Sequence, residues 1–353
     1  MASCKKILIV QTAFIGDVIL ATPLAEAAHQ AFPESRIDFM VIPAAANLLE
    51  RNPFLHRVLV FDKREKQRGA RGLWKMAASL RSERYDLAIV PHRSLRSALL
   101  AWLARIPQRI GFNRSAGAWL FTQRVPYRQT HEVDRNLDLL RDLKNNVGAC
   151  APKIFWDEAD EQVVDRFWRQ PPNREWVCAL APGSVWATKR WPENRFSELA
   201  RRLIAETGAV IYLIGGPGDA ALCSHLADEI GKDCVNTAGK LTLRQSAALL
   251  DRCQILVSND SAPTHLGSAT RCKVITIFGP TVPAFGFTPF GDDHAVIENN
   301  LPCRPCGIHG GNRCPIGTHA CMLEISVKEV FARLLALRSH FAAAHLLRKT
   351  LEK

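Results

Sequence analysis

The stretch CQILVSNDSAPTHLGSATRCKVITIF, residues 253–278, has a short apolar run on either side of a polar turn. Residues 253–258 and 273–278 are rich in aliphatic and β-branched side chains, so both are predicted to be buried strands. Pro263 suits the first turn of a helix, where its missing amide hydrogen is not needed. A strand, a loop and a helix that lead to a second strand are typical of an α/β sheet, and this block therefore decides the fold class.

The polar turn inside this block is a candidate ligand site. In open α/β sheets, ligands bind outside the carboxyl ends of strands, where Asp260 and Ser261 fall. Asp260 could bind sugar hydroxyls, and free amides of the following helix could meet phosphate. The alternative is structural: Asp260 and Ser261 would cap the helix, and His265 would be a half-buried histidine with ordinary partners.

Length and composition are those of a soluble two-domain enzyme. The chain has 353 residues, of which 47% are hydrophobic and 23% are charged. Domains usually have about 150 residues, so this length predicts two of them. The apolar runs fall short of the ~20 residues that span a bilayer. Residues 7–10 are apolar, but polar residues follow them without a small-residue cleavage site, so they predict a strand rather than a signal peptide.

The formal net charge of +12 predicts attraction to an anionic partner, which could be nucleic acid, a phosphorylated sugar or an acidic membrane face. Nucleic acid is disfavoured, because the sequence shows neither a dense Lys/Arg stripe interleaved with aromatic residues nor a nucleic-acid-binding signature.

The eleven cysteines fall into two groups. Those in or beside apolar segments are interpreted as small buried hydrophobic residues. The others lie in a Pro- and Gly-rich loop with gaps of two, seven and six residues, together with His309 and His319, and are Cys303, Cys306, Cys314 and Cys321. This spacing is similar to a zinc knuckle but fits no standard finger, so a bound metal, free thiols and a disulfide all remain open, although cytosolic disulfides are rare.

Apolar periodicity predicts two successive βαβ series. The first has strands at 6–11, 36–41, 58–61, 87–91 and 108–111 and helices at 17–31, 72–83 and 131–144. The second has strands at 176–180, 209–215, 253–258 and 273–278 and helices at 219–230 and 243–250. The predicted domains are residues 1–165 and 166–330. A helix over residues 331–353 would then pack back on the first domain or lie on an anionic membrane surface.

The turn after the first strand contains Gly16 and Asp17. A dinucleotide-binding dehydrogenase needs G-x-G-x-x-G here, and only Gly16 is present, so nicotinamide binding is disfavoured. Asp17 is either an acid that stabilises the helix dipole or a general base at the carboxyl end of a strand.

Two further loops follow predicted strands of the second series. In APGSVWATKRWPE, residues 181–193, Ser184 and Thr188 could donate hydrogen bonds to a diphosphate while Lys189 neutralises its charge. The alternative is a solvated basic loop. In IGGPGD, residues 214–219, the glycines permit close approach of a ligand and Asp219 could bind a ribose hydroxyl.

Four motifs taken together resemble the bacterial heptosyltransferases of glycosyltransferase family 9, over most of the chain. They are GD at 16–17, KRWP at 189–192, DSAPTHL at 260–266 and FGPT at 278–281. The cysteine-rich segment 303–321 is more similar to heptosyltransferase II than to heptosyltransferase I. The resemblance implies a GT-B fold, in which two Rossmann-like domains face each other across a cleft. It also implies inverting transfer of L-glycero-D-manno-heptose from ADP-heptose to the lipopolysaccharide inner core, without a required metal or other cofactor.

The resemblance further implies roles for individual residues. Asp17 would be the catalytic base and Lys189 the phosphate-stabilising cation. The implied donor-binding residues are Ser184, Thr188, Arg190, Asp219, Leu241, Asp260, Ser261, Ala262 and His265. The implied acceptor-binding residues are His92, Arg93 and Arg96. The family often has Thr-Gly after the donor-site aspartate, whereas this chain has Ser261-Ala262, which keeps a hydroxyl and adds a methyl group near the phosphates.

The implied partners are ADP-heptose and a lipid A acceptor that carries Kdo or heptose, which predicts a cytoplasmic enzyme peripheral to the inner membrane. Three alternatives remain. Another nucleotide sugar could be the donor, since a fold does not fix a substrate. An epimerase or dehydrogenase would need the missing glycine fingerprint, and a non-enzymatic membrane-surface protein would leave the three strand-end loops unexplained.

Overall fold

The computed structural model describes residues 4–144, 147–169 and 176–338. The chain forms two compact units, Met1–Phe155 and Trp156–Lys353. Each unit is a doubly wound α/β sheet, as the alternation of strand and helix patterns predicts.

The first unit contains six strands among its described residues, and all of the pairings between them are parallel. In chain order its elements are β1 Lys6–Val10, α1 Ile15–Ala21, α2 Pro23–Ala31, β2 Arg36–Val41, α3 Ala46–Leu49, β3 Arg57–Val60, α4 Gly69–Glu83, β4 Leu87–Val90, α5 Leu95–Leu103, β5 Gln108–Phe112, β6 Gln123–Val125 and α6 Glu132–Arg141. The strand order is β3-β2-β1-β4-β5-β6. The order reverses between β1 and β4, which is where doubly wound sheets bind ligands.

The second unit repeats this design. Its elements are α7 Glu158–Asp165, β7 Val177–Ala181, α8 Glu193–Thr207, β8 Val210–Leu213, α9 Ala220–Ile230, β9 Cys234–Asn236, α10 Leu243–Arg252, β10 Ile255–Asn259, α11 Ala262–Ser268, β11 Lys273–Phe278, β12 Ala295–Glu298 and α12 Ala320–Leu323. The order is β12-β11-β10-β7-β8-β9, again with parallel pairing. Its switch point lies between β7 and β10.

The core of the first unit follows from the two-residue period of its strands. Leu8 and Val10 of β1 pack, with Ala88 and Val90 of β4, against the buried side of α4 and α5. Ile7 and Ile9 are also fully buried, and alternation directs them to the opposite face of the sheet. A sheet buried on both faces explains why the strand sequences are continuously apolar rather than alternating.

Residues 17–31 were predicted as one helix, and the structure divides them at Thr22. Pro23 has no amide hydrogen to continue the ladder. The Ile19 carbonyl instead accepts hydrogen bonds from the Thr22 amide at 3.1 Å and from its hydroxyl at 2.8 Å. The break lets α2 start on a proline, whose fixed φ suits a first helical turn.

The predicted domain boundary at residue 165 is displaced by ten residues. Helix α7 packs against α10 of the second unit, where Arg244 pairs with Asp160 at 2.9 Å and Arg252 with Asp165 at 2.6 Å. The first turn of α7 is rich in acidic residues. These side chains and those of basic residues on α10 attract each other, which favours packing of α7 on the second unit.

The terminal helix also differs from the prediction. Residues 327–338 are helical, and Phe331 and Leu334 are buried in the core of the second unit with Trp176. The guanidinium of Arg202 lies 4.0 Å from the centroid of the Phe331 ring. The described part of this helix therefore packs in the core of the second unit, and residues 339–353 lie outside the described residues. In the part of the chain that is described, every helix is too short or too polar to cross a bilayer.

Candidate functional site

A buried ion pair lies at the switch point of the second sheet. Lys189, in the loop after β7, places its Nζ 2.5 Å from Oδ2 of Asp260, the residue that follows β10. The Thr281 hydroxyl donates to the same oxygen at 2.6 Å. Lys189 and Asp260 are 9% and 6% exposed, so each charge depends on the other for compensation. The structure thus brings two predicted site residues together from loops 71 positions apart.

Two residues next to this pair hold it in place. The Asn259 side chain accepts a hydrogen bond from the Trp191 amide at 3.0 Å and donates one to the Pro182 carbonyl at 2.8 Å. Trp191 is 1% exposed, and its indole nitrogen donates to the Ile325 carbonyl at 3.0 Å. The KRWP motif is therefore fixed by its tryptophan in the core, which leaves Lys189 aimed at the strand ends.

The loop after β7 uses its polar groups internally. Arg190 donates from Nε and Nη2 to the Ser184 carbonyl at 2.9 and 2.7 Å. The Thr188 hydroxyl bonds to the backbone of Gly311, accepting from its amide and donating to its carbonyl, both at 2.9 Å. For Thr188 to donate to a diphosphate, this hydroxyl would have to exchange partners. Ser184 is buried beside it.

Asp219 lies where two glycine-containing loops converge. Its carboxylate accepts a hydrogen bond from the Gly216 amide at 2.9 Å. A Cβ on Gly183 would stand 2.0 Å from Asp219 Oδ1, so glycine is required for this approach. Leu241, half-buried, is on the turn before α10, and the Gly239 amide ties that turn to the loop after β8 through a 3.0 Å bond to Gly215.

The residues at the start of α11 do not behave as a helix cap. Ser261 occupies the N-cap position, but its hydroxyl makes no capping bond and lies 3.3 Å from the Asn259 carbonyl. Asp260 is committed to Lys189 and Thr281. Ala262 begins the helix, and His265 is 4% exposed, with its ring centroid 6.5 Å from that of Phe287. The interpretation of Ser261 as a side-chain cap is therefore wrong.

In the first unit, Asp17 is the third residue of α1, and its carboxylate accepts a hydrogen bond from the Phe14 amide at 3.3 Å. This is one half of a capping interaction. Lys63, which follows β3, donates from Nζ to the Thr12 carbonyl at 2.6 Å. Burial and then the charges of Arg64 and Arg96 lower the pKa of Lys63, while the nearby Asp17 carboxylate raises it.

The three predicted acceptor residues are gathered at the end of β4. His92 Nδ1 lies 2.9 Å from the Ser97 hydroxyl. Burial, and then the charges of Lys63 and Arg93, lower the pKa of His92 to about 4, so its ring is neutral at pH 7. Arg96 donates to the Lys63 carbonyl at 3.2 Å. The Arg93 guanidinium lies 4.3 Å from the centroid of the Tyr127 ring, a cation–π distance.

The sequence reasoning missed a second carboxyl group near Asp17. Glu132, 6% exposed, pairs with Arg135 at 2.8 Å, and Arg135 also lies 4.7 Å from the Tyr127 ring centroid. Burial raises the pKa of Glu132 to about 7; the Asp17 charge raises it as well, while Arg135 and Arg93 oppose the rise. The only sequence signal was an opposite-charge pair three residues apart in an amphipathic helix, which is usually an exposed pair.

The cysteine-rich loop lies beside Thr188, in the loop after β7 of the second unit. All four of its cysteines are free, and Cys306, Cys314 and Cys321 line a cavity of about 70 Å³ with His319. The His319 amide donates to Cys314 Sγ at 3.4 Å, and this bond is the main cause that lowers the pKa of Cys314. Within residues 4–144, 147–169 and 176–338, no group of three or more His, Cys, Asp or Glu residues is arranged to hold a metal ion. Metal binding in this loop stays a sequence prediction.

Comparisons of sequence and of structure show which known proteins this chain is similar to. The sequence profile of glycosyltransferase family 9 (heptosyltransferase) matches residues 73–310. The lipooligosaccharide heptosyltransferase 2 of Haemophilus ducreyi is 29% identical over 347 residues, which covers 93% of this chain and 98% of that protein. The alignment therefore covers most of both chains.

Two solved structures have the same fold. A family 9 glycosyltransferase from Veillonella parvula superposes with a TM-score of 0.85 at 23% identity, and the Escherichia coli ADP-heptose lipopolysaccharide heptosyltransferase II with 0.77 at 24%. Each comparison covers 96% of this chain and 99% of the other. The predicted GT-B class, with two Rossmann-like sheets, is confirmed. The profile match spans more than half of the sequence and includes the switch-point loops of the second sheet and the residues after β4, so the chain belongs to glycosyltransferase family 9.

Proposed function

We propose that this chain transfers L-glycero-D-manno-heptose from ADP-heptose to the inner core of lipopolysaccharide, with inversion at the anomeric carbon. Family membership supports a heptosyltransferase, and relatives along the whole chain are named for lipooligosaccharide and for ADP-heptose and lipopolysaccharide. The observation that carries the proposal is the buried pair of Lys189 and Asp260 at the switch point of the second sheet.

The donor chemistry follows from this pair. A sugar diphosphate brings negative charge, and a preorganised cation stabilises the further charge that develops as the diphosphate leaves. Asp260, which also accepts a hydrogen bond from Thr281, fixes the Lys189 ammonium before the donor arrives, so little reorganisation is needed. When the diphosphate engages Lys189, the Asp260 carboxylate can accept hydrogen bonds from hydroxyls of the heptose. Asp219 is the matching acceptor for the ribose hydroxyls.

Asp17 is the base in this proposal. It removes the proton from an acceptor hydroxyl as that oxygen attacks the anomeric carbon from the face opposite ADP. One carbon–oxygen bond forms, the bond from the anomeric carbon to the diphosphate oxygen breaks, and its electron pair leaves with ADP. Arg93, Arg96 and Lys63 supply cations for the phosphates of the acceptor.

We further propose that neither a metal nor another cofactor is required, since Lys189 supplies the cation that many transferases take from a metal ion. The acceptor is anchored in lipid, so the protein is expected to work at the cytoplasmic face of the inner membrane as a peripheral enzyme.

The test is an ADP-release assay on purified protein. ADP-heptose is incubated with a series of truncated core acceptors, and ADP-glucose, which releases the same nucleotide, is run as the matched donor. We expect ADP release only with ADP-heptose and a Kdo- or heptose-terminated acceptor. Release of ADP from a different nucleotide sugar would instead favour a family 9 transferase of another donor specificity. The Ser261-Ala262 pair would then be the first candidate for the residues that set this specificity.

A further inference from the structure

The positive charge of this protein is concentrated in one part of the first unit. Residues 63–128 contain fifteen Lys or Arg and only three Asp or Glu, whereas the whole chain has a formal net charge of +12. The rest of the chain is therefore balanced overall. No continuous basic run marks this excess in the sequence, because α4, β4, α5, β5 and β6 spread it over many short segments.

The same segment exposes three tryptophans. Trp74 of α4 is 66% exposed, Trp102 of α5 is 48% exposed and Trp119 is 67% exposed. The five tryptophans of the second unit, at positions 156, 168, 176, 186 and 191, are all buried or half-buried. A single exposed apolar side chain is ordinary, but three exposed indoles on elements that pack against one another favour an interaction surface.

These elements are neighbours in the fold. Helix α4 packs against α5, and α5 packs against the short 3-10 helix Ala118–Leu120, which carries Trp119. Trp74 and Leu103 line one groove of about 490 Å³ together with Arg81 and Arg84. The opposite sides of α4 and α5 are buried on the sheet, so the tryptophans are on the outer side.

Cations accompany the indoles. The exposed basic residues on and beside these helices are Arg71, Lys75, Arg81, Arg84 and Arg105. The acidic residue within α4, Glu83, is committed to Lys6 at 3.3 Å and Arg57 at 3.1 Å, so it does not offset them. The surface therefore presents apolar rings and unneutralised positive charge side by side.

We propose that the outer face of α4, α5 and the 118–120 turn docks on an anionic phospholipid membrane. Indoles partition to the boundary between headgroups and acyl chains, and Arg and Lys nearby bind the lipid phosphates. The choice of a membrane rests on the proposed function in one respect, because a lipid-anchored acceptor must be reached at a bilayer surface. Single-stranded nucleic acid also binds aromatic and basic residues, and it is tested below as a competitor.

The experiment is cosedimentation of the full-length protein with vesicles of phosphatidylcholine, with and without phosphatidylglycerol. We expect at least tenfold stronger partitioning onto the anionic vesicles, weakened by salt. The variant Arg71→Gln/Lys75→Gln/Arg81→Gln/Arg84→Gln should lose at least tenfold, and Trp74→Ser/Trp102→Ser/Trp119→Ser a similar amount. The matched control, Arg166→Gln/Arg201→Gln/Lys232→Gln/Lys328→Gln on the second unit, should bind as the unmodified protein does. Far-UV circular dichroism and melting temperature verify that each variant is folded.

The activity assay separates this proposal from the proposed function. The surface variants should keep ADP release with a delipidated, water-soluble acceptor and lose it with the acceptor embedded in vesicles. Vesicle binding without any ADP release would support the docking surface and contradict the proposed transferase activity. Equal binding to neutral and anionic vesicles, equal loss in the control variant, or competition by single-stranded RNA with no vesicle binding would each overturn the docking surface.

Discussion

The two units share one strand order but handle charge in opposite ways. At the switch point of the second sheet, Lys189 is buried and neutralised by Asp260. In the first unit, basic residues surround a half-buried Asp17, and much of the positive charge faces outward. A shared scaffold thus fixes where ligand-binding loops lie, while the few residues after the first and fourth strands of each sheet determine what they can bind.

The buried acids sharpen this contrast. Asp260 is compensated by a lysine and a hydroxyl, whereas Glu132 shares its surroundings with Asp17, a like charge. The second unit is therefore suited to present a cation to a diphosphate. The first unit keeps one buried carboxyl group, that of Glu132, whose pKa is raised by burial and by the nearby Asp17 charge, and perturbed pKa values of this kind often occur at functional sites.

The largest expected effect is on catalysis in the first unit. Asp17→Asn should reduce the rate of ADP release by about 10²–10⁴-fold, the usual contribution of a general base. Binding of ADP-heptose, measured by calorimetry, should stay within threefold because the donor residues are in the second unit. Asp134→Asn, an exposed acid on α6, is the control. Full activity in the Asp17 variant would remove it from the mechanism.

Breaking the pair in the second unit should cost stability. Lys189→Met or Asp260→Leu alone leaves a buried charge uncompensated, at a cost of about 3–5 kcal/mol in unfolding free energy. The double variant should lose clearly less than the sum of the two, as urea unfolding can measure. For comparison, Glu206→Ala, which removes the exposed partner of Arg202, should cost less than about 1 kcal/mol. Additive losses at Lys189 and Asp260 would mean that the two charges are compensated separately.

Glu132 predicts a pH dependence confined to the first unit. Its pKa is about 7 when folded against an ordinary 4.5, so between these values the folded chain holds a proton that the unfolded chain has lost. Unfolding free energy should therefore fall as pH rises through this window, by roughly 3 kcal/mol in total. Glu132→Gln should abolish that fall, and Asp134→Asn should not. Parallel pH curves for Glu132→Gln and the unmodified protein would contradict the assignment.

The smallest expected effect is that of a chelator. Because Lys189 is proposed to do the work of a metal at the diphosphate, EDTA should change the rate of ADP release by less than twofold. Loss of activity that zinc or iron restores would contradict the proposal that no metal is required. The candidate metal ligands would then be Cys303, Cys306, Cys314 and Cys321. Their replacement by serine would then be the decisive variant.

The sequence predicted most of the elements that carry the site, because strand ends are marked by apolar runs that stop at Gly, Pro and Asp. It placed Asp17, Lys189 and Asp260 at such ends. It gave no bounds for α3, α5, β6, α7, α8, β9, β12 and α12, most of which are short, and it missed Thr281 as a partner of Asp260. Side-chain pairings between distant loops leave no local pattern to read.

The sequence by itself determined the class of the protein: two βαβ series, the strand-end motifs and an excess of positive charge. Only the tertiary structure decided which charges are buried and which face outward. Burial is a property of the whole packed unit: Glu132 and Arg135 resemble an exposed helical pair until α6 packs against α1, α2 and β5. In the same way, three tryptophans scattered over 46 residues of sequence become one surface only when α4, α5 and the turn after β5 pack side by side.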